Sequence, residues 1–181
     1  MRLRHPDQRH AGQRRRVLRG ICALCAVSVA VVAVPACGGS GRNSSAAWPD
    51  VPIADATGDE ERSAAVLTAG RPAVVAIWGV NCAPCRQELP RLEALSAANT
   101  AVDVAAVNSG DSPGAIEAYL SELGLELEVF IDDEARLGEA LGVSSLPATV
   151  FVRADGRIDD VHFGELSAEQ LDAGVDRLTG G

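Results

Sequence analysis

The chain has 181 residues, room for one domain with appendages, and its composition is that of a globular protein. It contains no lysine; all 16 basic residues are arginine, and seven of them precede Gly20. From Cys37 onward nine arginines face 24 acids, a balance of −15 that repels phosphate and excludes nucleic acid as a partner.

The arginine-rich start, the apolar run Ile21 to Val34 and the small residue Ala36 have the three parts of a secretory signal over residues 1–36. Arg14-Arg15-Arg16-Val17-Leu18-Arg19 resembles a twin-arginine signal and equally suits a general one. The apolar run is short beside the roughly 20 residues of a spanning helix, and left uncleaved it would be a tilted anchor. In either case the remainder is exported. Val34-Pro35-Ala36-Cys37, followed by Gly38-Gly39-Ser40-Gly41, resembles a bacterial lipobox, in which the cysteine is acylated and becomes the first residue after cleavage. Pro35 departs from the usual residue there. Lipidation of Cys37 would attach the domain to the outer face of the cell membrane, through a tether assigned to residues 37–50. An unacylated, exposed thiol on that arm would be a liability in an oxidising compartment.

The domain is assigned to residues 51–181. Val51 to Ala54 reads as a short edge strand, because Pro52 does not suit a central one. Arg62 to Ala69 reads as a short helix ended by Gly70-Arg71-Pro72. Ala73 to Trp78 is apolar throughout, as a strand buried on both faces should be. Ala83 to Ala97 is predicted helical, with a kink at Pro90. Val102 to Val107 is a second buried strand. Residues 108–113 form a turn in which Asp111 or Ser112 caps a helix over Gly114 to Leu123. Leu127 to Ile131 is a strand and Glu134 to Leu141 a short helix closed by Gly142. Thr149 to Val152 and Arg157 to Phe163 flank the hairpin signal Asp155-Gly156, and Ser167 to Leu178 is an amphipathic closing helix. From Ala73 the order is β-α-β-α-β-α-β-β-α, an α/β fold with parallel strands and an antiparallel hairpin at one side.

Cys82-Ala83-Pro84-Cys85 falls at the junction of the strand ending at Trp78 and the helix that follows. Two thiols spaced by two residues in the first turn of a helix come within bonding reach, and the unpaired N–H groups there favour a thiolate. Of the five cysteines, Cys22 and Cys25 lie in the signal core and Cys37 is assigned to the lipid. Cys82 and Cys85 remain, to pair with each other or to act together on another molecule.

The segment Trp78-Gly79-Val80-Asn81-Cys82-Ala83-Pro84-Cys85-Arg86-Gln87-Glu88-Leu89-Pro90 closely resembles the active-site segment of thioredoxin-like proteins of the TlpA/ResA type. Gly142-Val143-Ser144-Ser145-Leu146-Pro147-Ala148-Thr149 resembles that family's cis-proline loop, and the likeness runs from about Pro52 to Leu178. It implies a thioredoxin-like fold, a central mixed β-sheet flanked by helices. It also implies a membrane-tethered, extracytoplasmic thiol–disulfide oxidoreductase with no cofactor beyond the Cys82–Cys85 disulfide. Cys82 would be the attacking thiolate and Cys85 the buried resolving thiol. Cis Pro147 would present the Leu146 backbone to an extended substrate, with Trp78, Asn81 and Pro84 at the substrate rim. Three residues depart from the family pattern. Asn81 stands where many relatives carry Trp, and Ala76 where thioredoxins proper carry a buried Asp. Asp111 stands where ResA-type proteins carry a Glu near the thiols, so it either tunes them or caps the next helix. Glu88 is a further catalytic candidate, and equally suits a solvated place on the helix surface.

The expected partners are exported protein thiols or disulfides and a membrane-embedded redox donor or acceptor, with the protein a monomer. Reduction, as in cytochrome c maturation, and oxidation of new chains both suit the motif. The alternative is a copper chaperone using the thiols with His162, though such sites space their cysteines by three residues. A peroxidase needs a Thr where Gly79 stands, and a zinc site needs two more ligands than the domain offers.

Overall fold

A computed structural model describes residues 46–99 and 101–180; the signal segment, Cys37 and most of the tether lie outside the described residues. The uninterrupted apolar runs form the centre of the sheet. Strands β3 (Ala73–Trp78) and β4 (Asp103–Asn108) pair in parallel, from Ala73 opposite Asp103 to Trp78 opposite Asn108. Side chains alternate between the two faces of a strand. Val74, Ala76 and Trp78 therefore join one core layer, and Val75 and Ile77 the other.

The remaining strands are β1 (Pro52–Asp55), β2 (Glu61–Ser63), β5 (Val129–Ile131), β6 (Ala148–Val152) and β7 (Ile158–Phe163). One seven-stranded mixed sheet results, in the order β2-β1-β5-β4-β3-β6-β7. Helices α1 (Cys85–Ala98), α2 (Pro113–Leu123) and α4 (Ala168–Thr179) cover one face through Leu89, Leu92, Ile116, Tyr119, Leu171 and Val175. A 3-10 turn over Ala64–Thr68 and helix α3 (Arg136–Ala140) cover the other through Leu67 and Leu137. The step from β3 to β4 to β5 runs in one direction across the sheet. Right-handed crossovers therefore place α1 and α2 on the same side.

Three readings change. β1 is not an edge strand: it pairs with β5 as well as β2, and Pro52 is tolerated as its first residue. The expected helix from Arg62 is β2 followed by the 3-10 turn, because the Ser63 hydroxyl accepts from the Ala65 N–H (3.0 Å) and starts the turn there. Residues 46–50, assigned to the tether, lie against the domain. The Trp48 N–H donates to the Gly156 carbonyl (2.8 Å), its indole Nε1 donates to the Ala64 carbonyl (2.9 Å), and the ring is buried. α1 continues through Pro90.

Candidate active site

The turn Gly79–Pro84 leads from β3 into α1. The Cys82 N–H bonds to the Gly79 carbonyl (3.1 Å) and the Cys85 N–H to the Cys82 carbonyl (3.1 Å). Pro84 caps α1, where a missing N–H costs nothing. Cys82 and Cys85 form a disulfide with Cα atoms 5.3 Å apart. Cys82 is half-buried, whereas Cys85 is wholly buried among Trp78 and Leu89. The Cys85 N–H also donates to Cys82 Sγ (3.3 Å), and the sulfur lies at the positive end of α1. Both features stabilise negative charge on Cys82 more than on Cys85.

The Leu146–Pro147 peptide bond is cis. Because Ile77 pairs with Ala148, Pro147 stands level with Trp78, where β3 turns toward the cysteines. A Cβ built on Gly79 would lie 3.3 Å from Leu146 Cδ1, so the Leu146 side chain closes over that turn. Neither the N–H nor the C=O of Leu146 has a partner among the described residues, while the Pro147 carbonyl accepts from the Gly164 N–H (2.8 Å). Asn81 is exposed, and Pro84 and Leu146 are half-buried, so all three are accessible at the rim. Trp78 is not: its exposure is 0%, and it stacks at a tilt on Tyr119, with ring centroids 5.2 Å apart. It supports the disulfide from beneath and does not reach a substrate in this state.

The carboxylates sit differently from expectation. Ser112, not Asp111, caps α2, its hydroxyl accepting from the Ala115 N–H. Asp111 Oδ2 accepts from the Val80 N–H (2.8 Å) and from Asn108 Nδ2 (3.0 Å), and its own N–H donates to Asn108 Oδ1 (2.8 Å). Asp111 therefore braces the loop that carries Cys82. Glu88 is not on the helix surface. It is 1% exposed, and its carboxylate accepts from the Thr149 hydroxyl and from the Leu166 N–H (3.1 Å). Burial pushes its pKa up, against the lowering effect of those two hydrogen bonds. Glu88 lies three residues beyond Cys85 on the same buried face of α1, which puts the two Cβ atoms about 5–6 Å apart. His162 pairs with Thr149 across β6 and β7, level with Ala76 in mid-strand.

Sequence reasoning missed Asn108 and Thr149, both fully buried, and Phe163, which is 50% exposed beside Ala148. An asparagine directly after the apolar run Val104–Val107 is a signal for the first. Thr149 looked like an ordinary strand residue.

The chain matches the AhpC/TSA family over residues 45–161. It is 27% identical over 105 residues to the thiol-disulfide oxidoreductase ResA of Halalkalibacterium halodurans, a match covering 57% of this chain and 60% of that protein. Its fold is similar to that of a Chlorobium tepidum thiol:disulfide interchange protein described as DsbE (TM-score 0.68, 22% identity, 76% of this chain and 99% of the other). It is also similar to that of a secreted Mycobacterium tuberculosis disulfide oxidoreductase (TM-score 0.61, 27% identity, 71% and 96%). The fold is thus thioredoxin-like, with the disulfide and the cis-proline loop meeting at the end of β3. The chain belongs to the AhpC/TSA family, among its TlpA/ResA-like members.

Proposed function

We propose that the protein is an extracytoplasmic thiol–disulfide oxidoreductase acting on exported polypeptides. One observation carries this reading: a disulfide at the start of α1 whose first cysteine is half-buried and whose second is fully buried, beside the unpaired backbone of Leu146. In the reducing direction the Cys82 thiolate attacks one sulfur of a substrate disulfide. A Cys82–substrate bond forms and the other substrate sulfur leaves as a thiolate. Cys85 then loses its proton and attacks Cys82 Sγ. The second substrate thiolate is released, the Cys82–Cys85 bond forms, and two electrons have passed to the substrate. The same steps reversed oxidise a dithiol.

Each neighbour has a part in this reading. The helix start and the Cys85 N–H hold Cys82 as thiolate. Glu88, the buried carboxylate nearest Cys85 along α1, takes the Cys85 proton, and its raised proton affinity suits that transfer. Asp111 positions the Cys82 loop through Val80. The Leu146 backbone pairs with an extended substrate segment. The signal over residues 1–36 and Cys37 in its lipobox-like setting support export and a lipid tether, with a membrane redox partner returning the pair to its working state. Cytochrome c maturation is the reductive role in this reading, implied by the resemblance of the Trp78–Pro90 segment to TlpA/ResA-type proteins.

Equilibrating the purified protein against a glutathione or dithiothreitol buffer and reading Cys82–Cys85 oxidation tests the chemistry and fixes its direction. A strongly reducing potential assigns maturation by reduction, and an oxidising one assigns disulfide formation. Cys82→Ser abolishes exchange, whereas Cys85→Ser accumulates a mixed disulfide through Cys82. Full turnover in either variant contradicts the assigned order. Mass spectrometry of the membrane-extracted chain reads acylation of Cys37 directly.

A further inference from the structure

Leu146 faces two places. On one side it closes over Gly79 and the loop to Cys82; on the other it lines a cavity of about 340 Å³ at the C-terminal ends of β4 and β5, behind the cis-proline loop. Open α/β sheets offer their ligand crevices at this end of the strands. Ser109, Ser144 and Ser145, which bear hydroxyls, line it together with Glu139 of α3. Glu139 is exposed and joins no ion pair among the described residues. No arginine lines the cavity. Each arginine of the described residues already has a carboxylate of this chain beside it, so none is left over to offset Glu139.

We propose that this cavity is a specificity subsite for the cationic side chain of an Arg or Lys adjoining the substrate cysteine, so that the preferred substrates are basic segments of polypeptide. An extended segment paired with the unpartnered N–H and C=O of Leu146 presents successive side chains to opposite faces. If the cysteine faces the sulfur pair, its neighbour faces away from it, toward the cavity that Leu146 also lines. The chemistry then selects the occupant. Three hydroxyls and a carboxylate accept hydrogen bonds from a guanidinium or ammonium, and the carboxylate repels an acidic side chain. The acid excess of the whole domain adds long-range attraction in the same sense. The inference rests on the oxidoreductase reading and names its substrate class.

The test uses the reduced full chain purified in detergent and short peptides with a single cysteine, activated as a mixed disulfide with thionitrobenzoate. The residue next to cysteine is Arg, Gln or Glu, and the release of thionitrobenzoate gives the second-order rate. Each rate is divided by that of the same protein with an uncharged small activated disulfide, which cancels any general loss of reactivity or fold. The expected order is Arg over Gln over Glu, with an Arg-to-Glu ratio of about tenfold at low salt that shrinks as salt is added. Glu139→Gln lowers that ratio to about threefold or less, and Glu139→Arg inverts it. Equal rates for the three peptides, or a ratio that neither substitution moves, overturns the subsite. Absence of reaction with the small disulfide overturns the oxidoreductase reading instead, so the two failures are told apart.

Discussion

Replacing Glu88 by Gln tests what a buried carboxyl does at this site. In the folded protein its oxygens face two donors, the Thr149 hydroxyl and the Leu166 N–H, and no cation bonds to it. Burial makes the charged form costly and raises the pKa above the ordinary value of 4.5. Between 4.5 and the folded midpoint the folded state holds more protons than the unfolded chain, so stability falls as pH rises through that window and levels above it. Each tenfold gain in proton affinity removes about 1.4 kcal/mol from stability on the alkaline side. Gln reproduces the protonated acid: its oxygen accepts from the Leu166 N–H and its amide donates to the Thr149 oxygen, which can serve as acceptor. Glu88→Gln should therefore match the parent within about 0.5 kcal/mol at acid pH, where both side chains are neutral, both accept from the Leu166 N–H and both donate to the Thr149 oxygen. At pH 8 it should be the more stable protein. Glu88→Ala, which strands the Leu166 N–H and leaves a cavity, should lose about 2–4 kcal/mol at either pH. Urea unfolding of the oxidised protein at several pH values reads all three. Parallel curves for the parent and Glu88→Gln, or a Gln variant weaker than the parent at pH 8, would refute the reasoning.

Other substitutions probe the frame around the disulfide. Gly174→Ala sits in the interior of α4, where Ala ordinarily gains about 1 kcal/mol over Gly. Here the new Cβ would lie 2.1 Å from Phe151 Cε1 and 2.3 Å from Cζ of a ring that is 1% exposed, and overpacking of about 1–3 kcal/mol or more should win. A variant as stable as the parent in thermal unfolding would show that the ring moves freely. Asp111→Ala removes the acceptor of the Val80 N–H; it should cost about 1–3 kcal/mol and slow reaction of Cys82 with an activated disulfide, and an unchanged rate would limit Asp111 to a structural role. Asp159 is buried, which by itself would raise its pKa, but hydrogen bonds from Arg153 and Arg177 hold it below 3.8. Its contribution is present above pH 3.8 and lost as pH falls through the lower folded value. Asp159→Asn should therefore lose about 1–2 kcal/mol at pH 7, allowing for the half-exposed arginines, and nothing against the parent in strong acid; a constant difference between the two would count against this.

Most of the fold was legible because its centre depends on local pattern. The run 73–78 is apolar throughout and 148–152 apolar but for Thr149, beyond what one buried face requires, and such runs form inner strands. The cysteine spacing and the Leu-Pro pair were legible for the same reason, as each is a short contiguous motif. Legibility ended where a role depends on a partner far along the chain. Ala46–Asp50 read as tether by composition, yet Trp48 is fixed by Gly156 and Ala64, which no local window contains. The helix expected from Arg62 begins later, at Ala64, and as a 3-10 turn, because Glu61–Ser63 find a strand partner in Pro52–Ala54, and pairing overrides weak helical propensity. Asp111 was expected either at the thiols or on α2, and its partners proved to be Val80, 31 residues back, and Asn108.

Glu88 shows the same limit with a chemical consequence. A glutamate in the first turn of a helix, one residue before Leu89, fits an exposed face as well as a buried one. The choice is made by Thr149 and Leu166, 61 and 78 residues away. Thr149 is the cross-strand neighbour of Ala76, where thioredoxins proper carry a buried Asp. The vacated strand position and the buried helical carboxylate thus meet on one threonine. A carboxyl is still supplied to the interior beneath the disulfide, but from α1 in place of β3, three residues from Cys85. Coming from the helix, it shares an element with the sulfur whose proton it would take on the proposed reading. The carboxyl is also pinned to β6 and to the segment before α4. The Glu88 carboxyl and the cis-proline loop, which continues into β6, are therefore joined through the buried Thr149 hydrogen bond, and in the proposed mechanism that bond links the substrate edge to the resolving cysteine.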